Sequence, residues 1–181
     1  SDPLVAAEPG QLESLMEWGL SYESRADSRL ERLIGFLDAV CRPDGKTWSN
    51  ERVVVFTEYA HTVDWLARVL NQRGYTDDRL AVVQGSTAAE DREYIRSQFT
   101  ADPVKEPVRI LLATDAAGEG IDLQAYCHRL VNFDIPFNPS RLEQRIGRID
   151  RYGQTEEPQI FHFVPVLGSS TYSTDLNFME R

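Results

Sequence analysis

A chain of 181 residues and 20.6 kDa has room for one domain with a short appendage, and 41% hydrophobic, 27% charged and 10% aromatic residues suit a packed core rather than a disordered chain. The formal charge of −10, from 19 basic and 29 acidic residues, argues against strong non-specific nucleic-acid binding outside a local patch. No apolar run approaches the roughly 18 residues of a bilayer-spanning helix, the start Ser1-Asp2-Pro3 lacks the basic and apolar stretches of a signal peptide, and the 2 cysteines, Cys41 and Cys127, are expected as free thiols in a reducing cytosol.

The first 50 residues read as a helical N-terminal extension. A weak helix is expected over Leu12–Leu20, and Leu30, Leu33, Ile34 and Leu37 predict an amphipathic helix over Ser28–Val40. Arg42-Pro43-Asp44-Gly45 is turn chemistry. From residue 51 the pattern changes to short apolar strands alternating with helices, up to about residue 166. Val53–Phe56 predicts a strand, and Val63, Leu66, Ala67 and Leu70 predict a helix closing at Gly74. Leu80–Val83 predicts a second strand, and a helix over Ala88–Phe99 turns Ile95 and Phe99 inward. Val108–Ala113 and Arg129–Phe133 predict further strands, Pro139–Ile149 a helix, and Gln159–Val164 a fifth strand. Strands apolar on both faces, alternating with helices, imply an α/β domain with a mostly parallel sheet and helices on both sides. Ligands of such sheets bind at the carboxyl ends of the strands, here the loops after Phe56, Val83, Ala113 and Phe133. The Ser- and Thr-rich residues 167–181 are expected to start a further extension. The lack of an initiator Met, and an ending at Met179-Glu180-Arg181 inside what reads as a helix, suggest a longer parent chain.

Gly45-Lys46-Thr47 imitates the end of a phosphate-binding P-loop. Its first glycine would fall on Val40, and a helix rather than a strand precedes it, so it reads as a solvated turn. No acidic pair at a strand end is placed to hold magnesium. His61, His128 and His162 are scattered without metal-ligand spacing and read as structural, so no metal ligands are assigned.

The densest chemistry lies in Pro139–Gln154. At helical spacing Leu142, Ile146 and Ile149 form an apolar stripe, while Arg141, Arg145 and Arg148 form a basic one that Arg151 extends. Surface ion pairs to Glu143 and Asp150 would explain a basic face of this kind. Against that, the cations are all arginine, which suits bidentate phosphate recognition, and Gly147 inside a helix suggests close approach of another group.

Gln144-Arg145-Ile146-Gly147-Arg148-Ile149-Asp150-Arg151 resembles motif VI, Q-x-x-G-R-x-x-R, of superfamily-two helicases and translocases, and Tyr152-Gly153-Gln154 resembles its continuation in the Swi/Snf-like branch. Thr114-Asp115-Ala116-Ala117-Gly118-Glu119-Gly120-Ile121-Asp122 resembles motif V, although much of that branch has Asn where this chain has Asp122. Asn132–Pro139 resembles the strand and D-x-P-W-N-P segment before motif VI, with Phe137 in place of Trp. Val55–Tyr59 is similar to motif IV, and Gln84–Thr87 with Arg92 and Phe99 to the unit after it.

The resemblance implies the C-terminal RecA-like lobe, a three-layer domain, of an ATP-dependent motor on double-stranded DNA. It implies that Arg148 and Arg151 are arginine fingers for ATP with Mg2+ held mainly by a separate N-terminal RecA-like lobe. Gly120, Asp122, Gln144 and Arg145 would serve the nucleotide side, with Asp122 on the ribose and Gln144 and Arg145 supporting the finger loop. Thr57, Gly85 and Thr114 would face the nucleic acid, and Asp115 reads as part of an internal network. By itself the chain is expected to be inactive. A bacterial cytoplasmic ATPase is expected, with a protein partner such as RNA polymerase or a defence complex. The alternative is a non-catalytic helicase-like module that docks a partner protein. An ordinary doubly wound nucleotide enzyme is excluded because no glycine-rich phosphate loop follows the first strand.

Overall fold

A computed structural model describes residues 28–117 and 121–163 and the backbone of 176–178. The expected helix near residues 12–20, and Gly120, lie outside the described residues. The elements are α1 (28–41), β1 (Val53–Thr57), α2 (Ala60–Gln72), β2 (Leu80–Val83), α3 (Ala89–Phe99), β3 (Ile110–Thr114), β4 (Arg129–Asn132), α4 (Pro139–Ile146), β5 (Gln159–Phe163) and β6 (Leu176–Phe178).

The strand order is β2-β3-β1-β4-β5-β6. All pairs are parallel except β5 with β6. The antiparallel edge corrects one expectation: the residues just before 179 form a strand, not a helix. Helical spacing in so short a segment is easily outweighed by the open edge of β5, whose unpaired backbone groups offer a ready ladder.

β1 and β3 are buried along their whole lengths, as their unbroken apolar sequence requires. Alternate residues feed two cores. Val53, Val55, Ile110, Leu112, Val131 and Phe161 pack with Leu33 and Leu37 of α1 and Val63, Leu66 and Leu70 of α2. Val54, Phe56, Leu111, Ala113 and Leu130 pack with Phe99 of α3, with Ile121 and Leu123 from the loop after β3, and with Ile149. Full burial of such side chains is worth about 1.5–3 kcal/mol each. The α1 leucines therefore bind residues 28–41 into the same core as the sheet. α2 closes where expected, because Gly74 takes φ +96 and lets the Tyr75 amide return to the Leu70 carbonyl at 3.0 Å.

The Gly45-Lys46-Thr47 segment is an exposed turn in which the Asp44 carboxylate accepts the amides of Lys46 (2.8 Å) and Thr47 (2.6 Å). Amides taken by a carboxylate do not cradle a phosphate, in keeping with the sequence reading.

At the amino ends of β1 and β3 two arginines are buried without carboxylates. Arg52 donates to the carbonyls of Val108 (3.0 Å), Phe99 (2.7 Å) and Ala101 (2.5 Å), tying the end of α3 to the strand that follows. Arg109 similarly holds the carbonyls of Ser49, Glu106 and Pro103. Burial lowers the ionisation of Arg52 to about 10, so it stays charged at neutral pH.

Candidate nucleotide and nucleic-acid site

The carboxyl ends of β1, β3 and β4 meet in one buried polar network. Asp134, just past β4, accepts the Thr57 hydroxyl and, at 3.0 Å, the Glu58 amide. Asp115, just past β3, accepts Arg145 of α4 side-on, from Nη2 at 2.7 Å and from Nε on the other oxygen. Arg145 Nη1 continues to the Asn132 side-chain oxygen (3.0 Å) and the Asp134 carbonyl (2.7 Å), and Nη2 reaches the Asp134 carboxylate at 3.3 Å. Arg145 is 2% exposed. Burial works against its charge, but the bonds to Asp115 and Asp134 outweigh it and raise the pKa above the ordinary arginine value.

The chain of bonds fixes further atoms. With Asn132 Oδ1 turned to Arg145, its amide nitrogen faces His162 Nδ1 at 3.2 Å. His162 Nδ1 must then accept, so the ring is neutral and protonated on Nε2. Burial, then the Arg145 charge, lowers the His162 pKa accordingly.

Several expectations change here. α4 ends at Ile146, with residues 147–149 in a turn, instead of running to Ile149. Arg145 does not project with the other arginines; it is the buried residue of α4, drawn inward by carboxylates on two other loops. Gly147 is the helix cap at φ −62, and among the described residues an added Cβ would meet only the helix's own Glu143 and Gln144 carbonyls, at 3.4 and 3.6 Å. Thr57 and Thr114 are buried at 1% and 4% exposure, so neither hydroxyl faces outward toward a polymer. Thr57 is committed to Asp134, while the Thr114 hydroxyl has no hydrogen-bond partner among the described residues. Gly85 is exposed, in a loop whose Gln84, Gly85 and Thr87 carbonyls are held by Arg92.

Motif V and motif VI segments are clamped together. The Leu123 amide donates to the Arg148 carbonyl at 3.0 Å, and Ile149 is fully buried beneath. Gln154 donates through Nε2 to the carbonyls of Cys127 and Ile149, both at 2.9 Å, after a turn that Gly153 makes at φ +94. This anchors the backbone of Arg148 while its half-buried side chain has no hydrogen-bond or ion-pair partner among the described residues. Arg151 is exposed and ion-paired to Asp122, so the second proposed finger rests on the proposed ribose contact. Gln144 is exposed and, with Arg141, lines a cleft of about 340 Å³ between α4 and the loop after β3.

Asp134, Asn132, His162 and Gln154 were not singled out from sequence as site residues. Gln154 had a signal in the Tyr-Gly-Gln continuation of motif VI, and Asp134 in the D-x-P segment. His162 had none, because its partner lies on the neighbouring strand. Among the described residues no group of His, Cys, Asp or Glu could hold a metal ion, and no helix is long and apolar enough to cross a membrane.

The model of the helicase conserved C-terminal domain matches residues 28–153. The uncharacterized ATP-dependent helicase YqhH of Bacillus subtilis (strain 168) is 36% identical over 113 residues, 62% of this chain and 19% of YqhH. The RNA polymerase-associated protein RapA of Proteus mirabilis (strain HI4320) is 35% identical over 155 residues, 86% of this chain and 14% of RapA. The chain thus spans less than a fifth of either relative. The C-terminal part of the Fun30 ATPase domain superposes with a TM-score of 0.62 at 27% identity, covering 74% of this chain and 40% of that one. Domain 2 of the DEAD-box helicase Mss116p shares the fold, with a TM-score of 0.60 at 20% identity, covering 76% and 50%. The matched family model, these relatives and the shared RecA-like architecture establish that the chain belongs to the helicase conserved C-terminal domain family, as the C-terminal RecA-like lobe of a superfamily-two helicase of the Swi/Snf-like branch.

Proposed function

We propose that this lobe is the second half of an ATP-hydrolysing motor on double-stranded DNA, supplying Arg148 and Arg151 to ATP and Mg2+ held mainly by a separate N-terminal RecA-like lobe. The carrying observation is Arg148: its backbone is pinned by Leu123 and by buried Ile149, yet among the described residues its guanidinium has no hydrogen-bond or ion-pair partner at a concavity beside α4. Phosphoryl transfer spreads negative charge over the γ-phosphate oxygens, and a fixed guanidinium stabilises that charge without reorganising. Arg151 would join after exchanging Asp122 for phosphate. An exposed ion pair of this kind is worth at most about 1 kcal/mol, so the exchange is easy, and it frees Asp122 for the ribose. Arg145 supports the site from within by fixing α4 to the ends of β3 and β4, and Gln144 and Gly120 would serve the nucleotide side. Gly85 would meet the polymer backbone, and Thr57 would position the loop through Asp134. The likeness to RapA, an RNA polymerase-associated protein of a bacterium, supports RNA polymerase as a partner, and a bacterial cytoplasmic setting belongs to the same proposal. Alone, the lobe is inactive, because the triphosphate cradle lies elsewhere.

The test is Arg148→Ala in the protein carrying both lobes. The side chain makes no hydrogen bond or ion pair among the described residues, so the melting curve is unchanged. Arginine fingers contribute about 10³- to 10⁵-fold, so DNA-stimulated turnover falls at least roughly tenfold, with ATP affinity less affected. Lysine rescues poorly, because it lacks the planar fork. Normal turnover by the folded variant means Arg148 is not a finger.

A further inference from the structure

We propose that Arg141 is an additional phosphate-binding residue of this site, holding the nucleotide's triphosphate beside Arg148. The proposal rests on the reading of Arg148 as a phosphate contact.

Most described arginines are engaged. Arg52, Arg92 and Arg109 hold carbonyls, and Arg42, Arg73, Arg96, Arg129, Arg145 and Arg151 hold carboxylates. Arg141 and Arg148 have no hydrogen-bond or ion-pair partner among the described residues, and both line one concavity with Phe56, Asp115, Gln144 and Arg145. The other two without such partners, Arg32 and Arg68, belong to α1 and α2, which pack on the opposite face of the sheet. Among the described residues Asp115 is the sole carboxylate lining the concavity, and both of its oxygens are taken by Arg145. Glu143 and Asp150, the neighbours that could have neutralised the arginines, form no ion pair among the described residues. Two like charges sharing a concave surface without a counter-charge repel each other, and an anion set between them removes that cost. In a chain of net charge −10, such a pair is a local exception.

The spacing favours several phosphates over one. Arg141 lies in the first turn of α4 and Arg148 just past its last, about 10 Å along a helix axis at 1.5 Å per residue. Arg141 lines both the concavity it shares with Arg148 and the adjoining cleft of about 340 Å³, which gives successive groups of an extended polyphosphate room to lie along it. A nucleotide is favoured over the polymer backbone because the exposed candidate for the polymer, Gly85, follows β2 at the far edge of the sheet, beyond β3 and β1 from α4.

The experiment compares Arg141→Gln, Arg141→Lys and Arg148→Gln in the protein carrying both lobes. It measures kcat and KM for ATP, equilibrium binding of a non-hydrolysable ATP analogue, and the DNA concentration giving half-maximal stimulation. Arg141→Gln should raise KM for ATP about tenfold and weaken analogue binding by a similar factor, with kcat within about threefold of wild type, and Arg141→Lys should recover part of the loss. An unchanged KM and analogue affinity overturns the proposal, as does a shift confined to the DNA requirement, which would assign Arg141 to the polymer. Arg148→Gln with normal kcat removes the finger reading separately, whatever Arg141 shows.

Discussion

Replacing Arg145 by Met should be the most destabilising change in motif VI, although sequence alone sets Arg145 beside Arg148 on one basic stripe. The variant keeps much of the side-chain volume but removes every donor that Arg145 gives the network. Asp115, whose side chain is 6% exposed, loses both of its bonds, and Asp134, at 17%, loses one. The Asn132 oxygen and the Asp134 carbonyl are left without that partner as well. Removing one member of a buried ion pair costs about 3–5 kcal/mol, because the remaining charge is stranded. At roughly 2–4 °C per kcal/mol for a chain of this size, melting should fall by about 6–20 °C. Arg148→Ala is the control and should stay within about 0.5 kcal/mol. The assay is urea unfolding of both variants beside wild type, with Asp115→Asn and the double variant closing a cycle. Asp115→Asn with Arg145→Met should cost less than the sum of the single changes, since the stranded charge is gone. A loss below about 1 kcal/mol for Arg145→Met, or full additivity in the cycle, would refute the account of Arg145 as a buried anchor.

Other outcomes follow from the same contacts. Arg52→Leu should cost about 3 kcal/mol or more in urea unfolding, since it strands the Phe99, Ala101 and Val108 carbonyls, and Lys should restore little because it cannot span them. His162 has a folded pKa below its unfolded value of about 6.5, so the unfolded chain binds more protons on the acid side. Stability should therefore be full above pH 6.5 and fall as pH drops below it; His162→Gln should flatten part of that fall in pH-dependent melting, with His128, lowered by burial and Arg129, carrying the rest. Cys41 and Cys127 are buried, and burial pushes both thiols up to about 12. A thiol reagent should label neither in the native chain at neutral pH, and both on unfolding.

Much of the architecture is set by local pattern. The unbroken apolar runs of β1 and β3 can only be strands buried on both faces, and the leucine spacing of α1 and α2 can only cover a sheet. Those features give the alternation, the parallel sheet and the loops where a ligand would sit. The arginine-rich segment carries the resemblance to motif VI that points to the family, and arginine suits bidentate recognition of phosphate. Tertiary structure decided what each arginine does. A helical wheel places Arg141, Arg145 and Arg148 alike, since periodicity records only angle about the axis. Which face turns inward depends on carboxylates that the ends of β3 and β4 bring beneath α4, from positions 30 and 11 residues away in the chain. The same holds for Thr57, whose hydroxyl is turned inward by Asp134, and for Arg151, which meets Asp122 only because the loop after β3 is pinned to the turn after α4. Burial and pairing are properties of distant segments in contact, and local sequence carries no record of them until the sheet has set those segments side by side.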